Sequence, residues 1–478
     1  MTTTNGNRKM LDMKRWEFCT PAPLTPIAGG FVSSSRHYRQ QQLFVYNNTI
    51  AYMYLPSEDG WVALPPPTLS GTFGAGASGV ASGFSVGTAT AASQLTATGG
   101  TTSTIVTNQT LARDLRGYSI HITGGANAGV TLVIRSNTIG ANATITVDAQ
   151  ASAFSASTTY RIMAPCWYVV GAGAIASGSF KKYDFATNTW TTLSNTGLPA
   201  SIGTDGKLIS TSSWMDSGFL SFATGTATAG GASTLTQSTK NWTVNQWTNY
   251  QIRITGGTGA GQIRTIASNT ATVITVGAAW TTAPDATSTY SIEGNDDFIY
   301  YMGNNAVALY RYSISANTWT TLSPIAARAA APNVGMSAHW VWDVKESDWT
   351  AENTIRNGQR IYSFRGSNGA VLDYYDISAN TWVSGITYSP ATETLGTGTK
   401  YAYLENFLYI QKDNSGRWFR YNFATNEMDG WNTILFPSGN GVIGDTAFDA
   451  TYFDGATEIH YVYIILNSSS VMLRQQVV

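Results

Sequence analysis

The side chains that could do chemistry are few and scattered. Four histidines, His37, His121, His339 and His460, stand singly with no HxH or HExxH spacing, so local geometry pairs none of them for zinc or copper. Copper-radical chemistry asks for paired histidines together with tyrosine and cysteine. Cys166-Trp167-Tyr168 only echoes that set, and the alternation of Cys166 with Tyr168 in an apolar run reads as strand core. Asp296-Asp297, Glu346 with Asp348, and Asp449 with Asp454 are the carboxylate pairs available for acid/base work, and acids in such turn-rich contexts mostly serve the turns. The glycine-rich runs Gly71 to Gly83 and Thr255 to Gly261 lack the Lys-Ser/Thr ending and the following helix of a phosphate loop. The expectation is a chain that is not an enzyme and holds no cofactor or metal.

The elements that would position any site are set by a repeated phrase. YDFATNTWTTL at 183 to 193, YRYSISANTWTTL at 310 to 322 and YYDISANTWV at 374 to 383 each read as an aromatic strand, a polar turn and a second strand opening on Thr-Trp. Asn188, Asn317 and Asn380 sit where the turn needs a residue that tolerates positive φ. Trp190, Trp319 and Trp382 follow at a fixed offset and are expected to anchor neighbouring sheets. Fainter copies occur at 420 to 431, where Met428 replaces the expected tryptophan and Trp431 comes late, and at 52 to 64 with Trp61.

Near the N-terminus Trp16 belongs to a strand with no hairpin before it, while the C-terminal runs at 452–453, 460–466 and 471–473 lack a tryptophan strand after them. The two ends complete each other, as in a radial array of four-stranded sheets whose last blade is finished by the N-terminal strand. Six blades anchored by Trp16, Trp61, Trp190, Trp319, Trp382 and Trp431 follow. The pattern of Tyr168-Val169-Val170-Gly171 followed by Tyr183 to Trp190 resembles the kelch repeat, which implies an all-β, six-bladed β-propeller. Propellers host many functions, so the resemblance speaks to fold.

Anchor spacing exposes a second feature, because 129 residues separate Trp61 from Trp190 and again Trp190 from Trp319. The excess is a duplicated module, GTATAASQLTATGG…GYSIHITGGANAGVTLVIRSNTIGANATITV…STTYRI at 87–162 and GTATAGGASTLTQSTKNW…NYQIRITGGTGAGQIRTIASNTATVITV…STYSI at 225–292. Short alternating runs between Gly-Gly and Ser-Asn-Thr turns argue a small antiparallel barrel or sandwich. The chain then divides into propeller 1–86, module 87–162, propeller 163–224, module 225–292 and propeller 293–478. Gly87 with Ile162, and Gly225 with Ile292, must lie close together at the junctions, and the two modules are expected side by side on one face. Helix is nearly absent; only Asp348 to Ile355 invites it weakly.

Composition agrees with a rigid, turn-rich chain: Lys and Arg total 27, Asp and Glu 28, the net charge is −1, and aromatics make up 12%. A near-neutral chain argues against autonomous nucleic-acid binding; Arg8, Lys9, Lys14 and Arg15 are its nearest approach to a basic cluster. Low charge suits a surface buried in a permanent assembly. No signal peptide and no membrane span are visible, and Cys19 and Cys166 are too few for a disulfide framework, so the chain reads as made in the cytosol and not exported by the usual route.

The module phrase is similar to segments that recur in tail and other structural proteins of tailed bacteriophages. That resemblance implies a virion protein, made in the host cytoplasm and located in the tail: a nozzle or collar subunit forming a homo-oligomeric ring, with portal, adaptor, tail or fibre proteins as partners. The alternative from another class is a carbohydrate-binding propeller, an adhesin or decoration, in which Trp242, Trp247, Tyr250 and Trp280 of the second module stack on sugars. Only Tyr118 keeps that aromatic character in the first module, which favours packing. A kelch-type enzyme is the weakest of the three.

Overall fold

The structure, a computed structural model, describes residues 16–23, 31–34, 42–47, 49–56, 58–70, 77–82, 95–203, 205–215, 218–344, 357–366, 369–396, 398–404, 406–412, 417–433, 448–454, 457–465 and 470–477. No helix occurs among the described residues; the weak helical signal at 348–355 lies outside them. The chain is an all-β, six-bladed propeller with two inserted β-modules.

Each blade is a four-stranded antiparallel meander. Blade 1 holds Phe31–Ser34, Gln42–Asn47, Ile50–Leu55 and Gly60–Leu64. Blade 2 holds Ser78–Ser82, Cys166–Val170, Phe180–Asp184 and Thr189–Thr192. Blade 3 holds Lys207–Ser210, Phe298–Met302, Leu309–Ser313 and Thr318–Thr321. Blade 4 runs from His339–Val341 through Arg360–Phe364 and Val371–Asp376 to Thr381–Thr387, and blade 5 from Lys400–Leu404 through Phe407–Gln411 and Arg417–Asn422 to Glu427–Thr433. Blade 6 takes Phe448–Asp454, Thr457–Ile465 and Met472–Val477 from the C-terminal end and Glu17–Cys19 from the N-terminal end, with Glu17 opposite Arg474 and Cys19 opposite Met472. An unpaired edge at Met472–Val477 is thereby covered.

The repeated phrase has a defined physical job. Tyr183, Tyr312, Tyr375 and Tyr421 each donate their hydroxyl to the side-chain oxygen of the asparagine five residues on, Asn188, Asn317, Asn380 and Asn426, at 2.7–2.8 Å. Tyr54 donates likewise to Asp59 at 2.6 Å. All five turn residues have positive φ, between 46° and 59°, the region Asn and Asp tolerate best among residues with a side chain. The same residues grip the segment leaving the preceding blade. Asn380 Nδ2 donates to Ser323 O, Asn426 Nδ2 to Thr387 O, and Asp59 accepts from Thr20 N of blade 6.

The tryptophans stand directly across from those tyrosines, Trp61 opposite Tyr54, Trp190 opposite Tyr183, Trp319 opposite Tyr312 and Trp382 opposite Tyr375, with ring centroids 5.1–5.6 Å apart. Trp319 also meets Phe180 of blade 2, at 5.1 Å. Trp16 has no tyrosine of this kind and packs on Trp418 of blade 5 at 5.4 Å.

Blade 5 departs from the tryptophan pattern where its phrase does. The residue opposite Tyr421 is Met428, buried, while Trp431 falls inside a register shift between Trp418 and Phe419; its side chain lies outside the described residues. An unbranched methionine fills the apolar slot that an indole fills elsewhere.

Apolar clusters lie between consecutive blades, including Cys19, Tyr463 and Met472 of blade 6 against Tyr54 of blade 1. Blades 3 and 4 are also stapled by charge. Arg328 is buried in the segment between them and donates to Asp373 (2.7 Å) and to Ser363 (2.9 Å), its guanidinium 4.8 Å from the Trp382 ring centre. Arg365 and the backbone N–H of Gly385 donate to the same Asp373 carboxylate, so its charge is fully shared.

Candidate functional site: the paired modules

Both inserted segments leave after the first strand of a blade and return as its second: Ser78–Ser82 then Cys166–Val170, and Lys207–Ser210 then Phe298–Met302. Module 1 consists of two four-stranded sheets, and module 2 of one seven-stranded sheet. The difference is one strand. Ile263–Asn269 runs unbroken in module 2, pairing at its start with Gln251–Arg253 and at its end with Val273–Val276, whereas the corresponding stretch of module 1 splits into Thr131–Val133 and Ser136–Asn137. At the second junction Gly225 lies opposite Tyr290 and Ala223 opposite Ile292; Gly87 of the first lies outside the described residues.

The Ser-Asn-Thr signals are loop clamps. Asn137 accepts from Leu115 N and donates to Arg113 O and Thr138 O; Asn269 accepts from Trp247 N and donates to Thr243 O and Thr270 O. Each clamp organises the loop by which its module is fastened to a blade. In module 1, Arg113 donates to Asn188 Oδ1 (2.7 Å) and to Tyr183 Oη (3.1 Å), docking on the tyrosine–asparagine turn of blade 2. In module 2, Tyr250 donates to Gly358 O, Asn249 to Ile377 O, and Arg311 of blade 3 donates to Asn249 Oδ1.

The aromatic candidates of module 2 lie inside this fastening. Trp242, Trp247, Tyr250 and Trp280 are 7%, 5%, 2% and 6% exposed, so none offers an open ring face for a sugar. Trp247 and Tyr250 meet edge to face, 5.6 Å apart, and Trp242 meets Tyr290 at 6.5 Å. The core of module 1 is filled mainly by aliphatic side chains such as Leu111, Leu115, Ile120 and Ile145, with Phe154 and Tyr160.

The modules touch through equivalent positions. ITGGANAG at 122–129 and ITGGTGAG at 254–261 align residue for residue, and a Cβ placed on Gly261 would lie 2.7 Å from Thr123 O and 3.1 Å from Gly129 N. One on Gly129 would lie 3.2 Å from Thr255 O and 3.5 Å from Ala260 Cβ. Thr123 corresponds to Thr255 and Gly129 to Gly261, so the contact is reciprocal, the isologous pattern of a two-fold interface formed within one chain. Both glycines have positive φ, 89° and 87°, and close approach of the two backbones requires them.

Beside this contact lies a buried polar cluster that sequence reading did not foresee. His121 and Arg253 hold the same place in the two copies, and the aromatic ring of Phe219, opposite Trp214 in a short antiparallel pair, meets both: the imidazole at 5.2 Å and the guanidinium over its face. Arg253 makes a two-pronged ion pair with Glu293. Asp296 accepts from the backbone N–H and hydroxyl of Ser213. Burial, then the charges of Arg253 and Arg161, hold His121 well below the ordinary imidazole pKa. Burial pushes the Arg161 guanidinium down to about 10 and Asp296 upward. In the sequence this cluster shows only in pieces, as the carboxylate pair Asp296-Asp297 and as the His/Arg difference between the two module phrases.

The remaining candidates are placed as follows. Asp297 accepts from Ser313 and Ser315 and serves a turn. Cys166 and Tyr168 are buried in the seam between blades 2 and 3. His339 lies 5.9 Å from the Tyr401 ring. Residues 346 and 348, the side chains of Asp449, Asp454 and His460, His37, and the basic residues at 8, 9, 14 and 15 lie outside what the structure describes. Among the described residues no cluster of three or more His, Cys, Asp or Glu could hold a metal, and no helix is long and apolar enough to cross a membrane.

No family model and no curated protein matches the chain. Solved structures similar to it include a fucose-specific lectin from Aleuria aurantia (10% identity over 95% of this chain and 93% of that one, TM-score 0.38), which another structure describes as a six-bladed β-propeller. YCF48 from Cyanidioschyzon merolae (10%, 96% and 98%, TM-score 0.33) and a luciferin-regenerating enzyme (10%, 96% and 92%, TM-score 0.33) are also similar. At such identities and TM-scores the likeness carries no argument about this chain.

Proposed function

We propose that the protein is a non-catalytic structural component of a tailed-phage virion, a ring-forming nozzle or collar subunit whose paired modules meet neighbouring copies or dock tail and fibre proteins. The observation supporting an architectural role is the fastening of both modules. Arg113 to Asn188, Tyr250 to Gly358, and the reciprocal Gly129–Thr255 and Gly261–Thr123 contacts make the pair one rigid projection. A rigid projection pays no ordering cost when it enters an assembly. The phage setting comes from the module phrase and its resemblance to tail-protein segments. Sugar stacking on Trp242, Trp247, Tyr250 and Trp280 is disfavoured by their burial.

Gradient-purified particles from the source culture, probed with antibody against this chain before and after tail dissociation, test the reading. Label at fixed stoichiometry on tails supports it. Absence of the chain from intact particles, with the chain abundant in the soluble lysate, overturns it.

A further inference from the structure

Thr68 holds a backbone conformation foreign to its residue type. Its φ is 43°, whereas every other non-glycine residue at positive φ among the described residues is asparagine or aspartate, the types that tolerate it. A β-branched residue there is strained, and such strain persists only where the surroundings fix the chain on either side. They do. Trp190 Nε1 donates to Pro65 O at 2.7 Å, and Leu69 is buried in the apolar cluster shared by blades 1 and 2. Ser70 is held twice, its N–H donating to Gly178 O at 3.1 Å and its carbonyl accepting from Ser179 Oγ at 3.0 Å. Between these anchors Thr68 stays exposed.

The hydroxyl of Thr68 meets a buried amine, with Lys181 Nζ 3.1 Å from Thr68 Oγ1. Lys181 lies opposite Val169 on the strand Phe180–Asp184, on the same face as Tyr183, so its stem runs along the seam between blades 1 and 2. Burial, with no neighbouring charge among the described residues to offset it, lowers the Lys181 pKa. The neutral amine is thereby more available than in an ordinary lysine, and its lone pair can accept the Thr68 proton. Strain at an exposed hydroxyl and an uncompensated amine at its oxygen are separate observations that converge on one atom.

We propose that Thr68 is an acyl-acceptor site, with Oγ1 as nucleophile and Lys181 Nζ as its base, taking one acyl group from an activated carboxylic ester, aryl or thio. The hydroxyl proton passes to Nζ as Oγ1 bonds to the carbonyl carbon. The C–O or C–S bond of the donor then breaks, the phenolate or thiolate leaves, and Lys181 returns its proton to solvent. Acylation stops at the Thr68 ester, so the site requires no turnover and stands independently of the proposed assembly role.

Incubation of the full chain with p-nitrophenyl acetate, followed by peptide mass mapping, tests this. The expected product is an acetyl ester on Thr68 that hydroxylamine removes. Its rate of formation should rise with pH at a one-proton slope and level off below the ordinary lysine pKa of about 10.4. Lys181→Arg keeps the charge and the hydrogen-bond donors but cannot serve as a base, and should acylate about 100-fold more slowly. Label on the Lys181 amine, which hydroxylamine leaves in place, overturns the assignment, as does an equal Thr68 rate in Lys181→Arg. Should that variant not fold, wild type alone decides: Thr68 must label faster than the exposed Thr102 and with the stated pH profile, and equal rates refute the site.

Discussion

Gly129 and Gly261 occupy the same place in two copies of one phrase and lie against each other, each roofed by the threonine carbonyl of the opposite copy. A duplicated module has thus kept a self-complementary surface and uses it inside a single chain. The first prediction concerns that surface. Gly261→Ala puts a Cβ 2.7 Å from Thr123 O on a backbone with φ of 87°, whereas Gly140→Ala meets nothing within 4 Å at φ of 118°. Both incur backbone strain of about 1 kcal/mol or more, but only Gly261→Ala opens the seam. Limited proteolysis of the two variants should show new cleavage around 122–130 and 254–262 for Gly261→Ala and an unchanged pattern for Gly140→Ala.

The tyrosine–asparagine turns are the next target. Asn380→Gly keeps positive φ and loses the bonds to Tyr375 and Ser323, while Asn380→Ala loses both the bonds and the conformational ease. Urea midpoints should fall in the order wild type, Gly, Ala, with about 1–2 kcal/mol lost per step. Equal midpoints for Gly and Ala would show that the turn conformation carries no strain.

Much of this was legible in the sequence because the repeat is spelled in residue types with narrow tolerances: asparagine at a left-handed turn, and tryptophan facing tyrosine across a hairpin. In blade 5 the register puts Met428, the residue that replaces tryptophan in the phrase, opposite Tyr421. Pairing of the two ends was readable from the missing strands on either side. The polar cluster at His121 was not, because it joins residues more than a hundred positions apart and depends on how two modules lean together.

Asp373 carries a pH signature. Its neighbours Arg365 and Arg328 and the Gly385 N–H outweigh burial and hold its carboxyl below the ordinary aspartate value. Its contribution is complete above the unfolded pKa of about 3.9 and lost as pH falls through the depressed folded value. Asp373→Asn should cost about 3–5 kcal/mol at pH 7, since Arg328 is left buried without its counter-charge. The difference in denaturation midpoint between the two proteins should stay constant from pH 7 to about pH 4 and narrow as pH falls further.

Trp280 and Trp242 separate packing from ligand contact. Replacing either with alanine should cost about 3–5 kcal/mol and act through loss of module 2 structure. Near-ultraviolet circular dichroism and thermal melting check this; a variant that melts like wild type yet loses a bound glycan would place the ring in a binding face instead.

The assembly claim is tested most directly by the mass and outline of the purified 51.2 kDa chain, by light scattering with negative-stain imaging, beside particles from the source. The account predicts rings of fixed copy number whose outlines match a feature of the tail. A monomer at every concentration tested, with no matching feature and no label on particles, would contradict it.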